Sequence, residues 1–229
     1  MMAFRDSDRC PDATVPIRRV AIQDERTSEY RLDGYDPKTK DSGFRRAVEG
    51  INLPPEDSFY GGTADISILN PPTFEDLYRL MLDFPLGATF PQVSVYNGVQ
   101  IYISIKIDQD IETLNWWLLV STREIPLGNW PRELFTHLDE CATDLSFGGT
   151  VKNKPGLSYP LMGYGFFPTY NTGRSAYFKN IQYIGSDRIA VTPLKEQTFK
   201  SENSLECYRV LNIGSTLSGY TITYEGHGG

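Results

Sequence analysis

Hydrophobic positions recur with a period of two between residues 99 and 107. Val99, Ile101, Ile103, Ile105 and Ile107 alternate with Gln100, Tyr102, Ser104 and Lys106. Successive side chains of a strand point to opposite faces, so this stretch predicts a half-buried β-strand. A turn through Gln109-Asp110 leads to Leu114-Asn115-Trp116-Trp117-Leu118-Leu119-Val120, whose neighbouring apolar positions predict a partner strand covered on both faces. Ala64-Asp65-Ile66-Ser67-Ile68-Leu69 predicts a further strand, stopped by Asn70-Pro71-Pro72.

Two stretches carry helical spacing instead. Thr73 is placed as an N-cap, with Asp76 in a capping-box position. Phe74, Leu77, Leu80, Met81 and Phe84 follow at helical intervals, ended by Pro85 and Gly87. A second helix is predicted from Asn129, with Pro131 at its first position and a stripe of Leu134, Leu138, Cys141 and Leu145, closed by Gly148-Gly149. Beyond residue 150, short strands are predicted at 161–167, 174–184, 187–192, 205–212 and 219–225. The fold class this implies is mainly β, an antiparallel sandwich or jelly-roll-like body with two short helices. The alternative is an α+β layer with both helices on one face of the sheet.

Residues 1–60 read differently from the remainder. They hold 10 of the 22 basic and 12 of the 29 acidic residues, with few clustered apolar positions. Only Val15–Ile22 resembles a strand there, and Pro16 restricts it to an edge or a strand start. The division expected is a charged N-terminal arm over 1–60 and a β-rich globular body over 61–229.

Charge and composition narrow the function classes. A net charge of −7 argues against direct nucleic-acid binding, which needs a basic field. The first eight residues, Met1-Met2-Ala3-Phe4-Arg5-Asp6-Ser7-Asp8, have no apolar run of the signal-peptide kind, and no stretch has the length of a membrane span. Cys10, Cys141 and Cys207 are an odd number without metal-ligand spacing, and no asparagine lies in a glycosylation sequon. Together these predict a cytoplasmic protein, or one in an assembled virion, that is not secreted by a signal peptide.

Candidate chemistry is sparse. His137 lies four residues before Cys141, which on a helix would set imidazole and thiol on one face, with Asp139 or Asp144 as orienter. Cys141 belongs to the apolar stripe, however, and the structural reading is a core thiol beside a histidine. Asp108-Gln109-Asp110 falls in a hairpin turn, where aspartate is favoured for local hydrogen bonding. Gly61-Gly62-Thr63 and Gly163-Tyr164-Gly165 fit neither a P-loop nor a dinucleotide fingerprint. No catalytic residue, cofactor or metal is therefore assigned.

What stands out is the aromatic load, 14 Tyr and 12 Phe against 3 Trp. Tyr159, Tyr164, Phe166, Phe167, Tyr170, Tyr177, Phe178 and Tyr183 crowd into one stretch among glycines and prolines. They are the binding or interface candidates: a stacking platform, a subunit interface, or a cap on the core. The leading expectation is a non-enzymatic structural subunit of a self-assembling particle or layer, of the viral coat or matrix kind. It would be partnered by copies of itself or by other structural subunits. A carbohydrate- or peptide-binding β-sandwich module and an acid-pair hydrolase are the alternatives.

Overall fold

The computed structural model describes residues 44–69, 90, 92–152 and 158–229. Among these residues the chain forms β1 (Phe44–Ile51), β2 (Gly61–Ser67), β3 (Tyr102–Gln109), β4 (Trp116–Val120), β5 (Ile125–Trp130), β6 (Leu145–Lys152), β7 (Tyr177–Ile184), β8 (Ala190–Val191), β9 (Thr198–Glu202), β10 (Tyr208–Thr216) and β11 (Gly219–Gly226). The strands make two antiparallel sheets. The larger runs β10-β11-β7-β2-β3-β4-β5, with β8 paired to the far end of β7, and the smaller runs β6-β1-β9. The mainly antiparallel β-sandwich expected from the sequence is the observed fold.

Strand β3 keeps its alternation. Ile103, Ile105 and Ile107 face the smaller sheet, opposite Ile66, Ala64 and Gly62 of β2, while Tyr102, Ser104, Lys106 and Asp108 face outward. β4 lies between β3 and β5, its Trp116, Leu118 and Val120 continuing the inner face. The core sits where the small sheet covers β10, β11 and β7. Ala47 and Ile51 of β1 pack there with Ile181, Tyr208, Val210, Tyr220 and Ile222, and Phe178 joins Phe147 and Tyr224 at ring separations of 5.8 and 5.4 Å. Residues 44–60, grouped by charge with the N-terminal arm, supply β1 at the centre of the small sheet and the buried Phe59. The strand expected at 15–22 lies outside the described residues.

The helical expectations need correction. The helix at 73–84 lies outside the described residues. The second helix, from Asn129, does not form: its span holds the end of β5, a 3-10 turn at Arg132–Leu134, irregular chain, and then β6. The apolar stripe that suggested it meets the core only at its far end, where Leu145 packs, while Leu134 remains 67% exposed. Without such packing, an isolated helix of this length is marginal in water. The Leu138 carbonyl accepts from the indole N–H of Trp116 at 2.6 Å rather than from a helical amide. Gly148-Gly149 then sit inside β6, not at a helix end. Gly148 has φ +147°, and any Cβ there would collide with the Ala47 carbonyl of β1. With no second helix, the α+β alternative also falls. The expected strand at 161–167 is irregular chain that makes one β-bridge to β11, Met162 to Gly226.

This uneven coverage gives a stability expectation. Ile222 is 0% exposed in the packed half, whereas Ile107 is 41% exposed on the same face of the sheet. Ile222→Ala should cost about 3 kcal/mol and Ile107→Ala less than about 1 kcal/mol, read as shifts in urea unfolding midpoints. Equal losses would mean that both ends of the inner face are equally covered.

Candidate functional site

Among the described residues an opening lies on each face of the large sheet. On the inner face, the small sheet stops short of β3 and β4, leaving a recess of about 220 Å³. Its walls are Ile105, Ile107, Leu145 and the rings of Phe59, Trp116, Phe147 and Phe178, with Gly61 and Gly62 lining it from β2. A Cβ on Gly62 would already touch Leu145 and Phe147, so the missing side chain is part of what keeps the recess open. No carboxyl, imidazole or thiol side chain lines it among the described residues.

On the outer face, a polar cleft of about 280 Å³ lies over β7, β10 and β11. Gln100, Tyr170, Thr172, Lys179, Ser218 and Thr221 are among its lining residues. Lys179 holds its ammonium 3.5 Å from the Tyr102 ring centroid, a cation–π contact. Nearby, the Ser104 hydroxyl donates to Asp65 at 2.5 Å, and Lys106 bridges Asp108 and Glu124, 3.1 Å from each.

The loop between β6 and β7 is tied over this face by one buried carboxylate. Glu225 of β11 is 0% exposed, and its Oε1 accepts the backbone N–H groups of Tyr164 and Ala176 at 2.9 and 3.0 Å. Gly163, at φ +67°, lets the loop approach, because a Cβ there would press on the Glu225 side chain. Glu225 Oε2 has no hydrogen-bond partner among the described residues. Burial pushes this carboxyl up to about 7, and the two amide hydrogen bonds only partly oppose that.

A second buried carboxylate, Glu49 of β1, lies between the sheets. Its Oε1 accepts from Asn212 Nδ2 at 2.5 Å and from the Tyr220 hydroxyl at 3.4 Å. The Tyr220 and Thr198 hydroxyls meet at 2.9 Å. Tyr220 faces the inner side of β11 and Glu225, an odd number of residues along, the outer side. The two buried glutamates therefore stand on opposite faces of the sheet and do not form an acid pair.

The aromatic candidates are divided in the same way. Phe178 and Tyr183 face inward, Tyr183 meeting Phe59 edge-on at 6.0 Å, and Tyr159 packs on the core beneath the Arg45 guanidinium. Tyr164 and Phe166 gather around Tyr96 on the outer face, at 5.3 and 5.5 Å. Phe167 stacks edge-on with His227 at 5.0 Å, and Tyr177 and Tyr170 line the polar cleft. The eight residues do not share one platform. The other candidates resolve locally. Asp110 accepts from the amide and hydroxyl of Thr113 at 2.7 and 2.6 Å, which closes the β3–β4 turn and lowers its pKa. His137 and Cys141 lie on irregular chain, so no helical turn brings imidazole to thiol. Sequence reasoning missed Gly61-Gly62 as a recess wall, and missed both Glu49 and Glu225.

Glu225 makes stability depend on pH. Its carboxyl keeps its proton in the fold over a range where the unfolded chain has lost it. Stability therefore falls as pH rises from the ordinary 4.5 to about 7, and levels off above. The swing is on the order of 3 kcal/mol. Urea midpoints should be higher at about pH 5 than at about pH 8, and Glu225→Gln should remove most of that difference. An unchanged slope in the variant would assign the dependence to other groups.

Residues 80–227, well over half of the chain, match the Neprosin family, a family of prolyl endopeptidases. That match overturns the expectation of a non-enzymatic protein, and with it that of a virion or viral-capsid structural protein. Those expectations rested on the lack of a catalytic motif and on architectural analogy, and a β-sandwich carries many unrelated activities. By this match the chain belongs to the Neprosin family.

Proposed function

We propose that the protein is a hydrolase of the endopeptidase type acting on proline-containing peptides, with the proline ring seated in the recess between the sheets. The observation that carries this is the family match over residues 80–227. The recess supports it chemically. A pyrrolidine ring is apolar and compact, and its nitrogen in a peptide has no proton to satisfy. Burying it among Phe59, Trp116, Phe147 and Phe178 therefore leaves no orphan donor. The fixed φ of proline also reduces the ordering cost of binding. With no titratable side chain in its wall among the described residues, the recess supplies grip and register. The proton transfers of amide hydrolysis belong to groups elsewhere in the chain.

The test is a peptide series that differs only in the position of one proline, digested from acid to neutral pH and read by mass spectrometry. Cleavage should track the proline. Gly62→Val, which projects two methyl groups toward Leu145 and Phe147, should raise KM roughly tenfold while the protein stays folded. No cleavage by folded protein at any pH, or cleavage unrelated to proline, would overturn the proposal.

A further inference from the structure

The outer-face cleft is unexplained by peptide hydrolysis in the recess, because the sheet itself stands between the two openings. Its lining is dense in groups that both donate and accept. Thr216 and Thr221 each donate their hydroxyl proton to the Gly219 carbonyl at 3.0 Å; Thr216 Oγ1 also accepts the Ser218 N–H at 3.0 Å, and Thr221 keeps acceptor capacity at the cleft. The side-chain hydroxyls of Thr172 and Ser218 line the same cleft and have no protein hydrogen-bond partner among the described residues. Tyr170, 71% exposed, stands at the cleft with its ring in solvent. Lys179 contributes an ammonium that has no carboxylate partner among the described residues and rests on the Tyr102 ring. Among the described residues no aspartate or glutamate lines the cleft, even though the chain carries a net charge of −7.

We propose that this cleft binds an acidic oligosaccharide, one pyranose ring stacking on Tyr170 and a sugar carboxylate meeting Lys179. The chemistry of each side matches. A pyranose presents an apolar C–H face for an aromatic ring, and its hydroxyls both donate and accept, as do Thr172, Ser218 and Tyr177 around them. A metal cation finds no carboxylate here. A nonpolar ligand would leave the threonine and serine hydroxyls buried without partners. The ammonium of Lys179, whose cross-strand neighbour Asp65 is engaged by the Ser104 hydroxyl, favours a sugar that carries negative charge over a neutral one. The cleft is also held in place: the 95–100 turn is fastened to the 169–175 turn by Asn97 N–H to the Gly173 carbonyl at 2.6 Å and by Arg174 Nε to Asn97 Oδ1 at 2.9 Å. Tyr170 is thus presented on a braced turn, not on a free loop.

The test is calorimetric titration of the full chain with an oligogalacturonide and with a neutral galacto-oligosaccharide of the same length, with no peptide present. The acidic ligand should bind, and the neutral one at least about tenfold more weakly. Tyr170→Ala should weaken acidic binding roughly tenfold and Tyr170→Trp should retain it. Lys179→Met should erase the preference for the acidic sugar. Because Tyr170 is exposed, its variants should keep the wild-type melting temperature. The proposal is overturned if the acidic sugar does not bind, or if binding is unchanged in Tyr170→Ala and Lys179→Met. Peptide cleavage by the same preparation is read separately, so failure here leaves the peptidase proposal standing, and the reverse.

Discussion

Coverage of one sheet by another of unequal width is the constraint on which this structure depends. Neighbouring strands lie about 4.8 Å apart, so three strands span roughly 15 Å while the seven side-by-side strands of the large sheet span more than twice that. β1 packs against β10 and β11, and β6 against β11 and β7. Among the described residues little remains to cover β3, β4 and β5. The inner face is equally apolar along its length, so the same isoleucine pattern builds a dry core at one end and an open-sided recess at the other. The recess is what is left over when the small sheet runs out, and its aromatic rim comes from both sheets.

The outer face poses the opposite difficulty, since among the described residues no second sheet lies on it. It is covered near β11 by the irregular chain before β7, whose amides need partners once buried. Glu225 supplies one oxygen to two of them. The cost is a carboxyl held in a poorly solvated site, which raises its pKa and leaves Oε2 without a partner. Glu49 does similar work between the sheets, taking the amide of Asn212 and the hydroxyl of Tyr220. Both carboxylates act as fasteners of the sandwich, and because they stand on opposite faces of the large sheet they do not pair with each other.

How much of this was legible follows from where each signal lies along the chain. β3 was readable because its faces meet different environments, and period two survives even where the inner face is only half covered. β7, β10 and β11 were readable from their β-branched and aromatic content. β6 was hidden because Leu145 completes a helical stripe and two glycines follow, a pattern that belongs equally to a helix end and to a strand pressed against β1. β1 was hidden by its own charges: Arg45, Arg46 and Glu49 look solvated until Asn212 and Tyr220, far along the chain, are brought to Glu49. Ser104 reads as a replaceable outward position, yet its hydroxyl is bonded to Asp65. The polar anchors were illegible for one reason. Their partners are 49 or more residues away, and composition carries no record of such distances.

Strand β7 joins the two openings. Phe178 projects inward as a wall of the recess, and Tyr177 and Lys179 on either side of it project outward into the polar cleft. A bulge follows at once: Asn180, at φ +52°, and Ile181 together stand opposite Ala64 of β2. The bulge lets Asn180 donate its backbone N–H to the Ser218 carbonyl at 2.9 Å, which draws the β10–β11 turn, with Ser218 and Thr221, over the cleft. Were the extra residue held in regular strand geometry instead of a bulge, the alternation of β7 beyond Lys179 would be inverted, and Tyr183 would leave the inner face for the outer one. The same irregularity therefore sets which aromatics enclose the recess and which polar groups line the cleft. The two openings are chemically separate because a sheet divides them, and they are mechanically linked because one strand lines both.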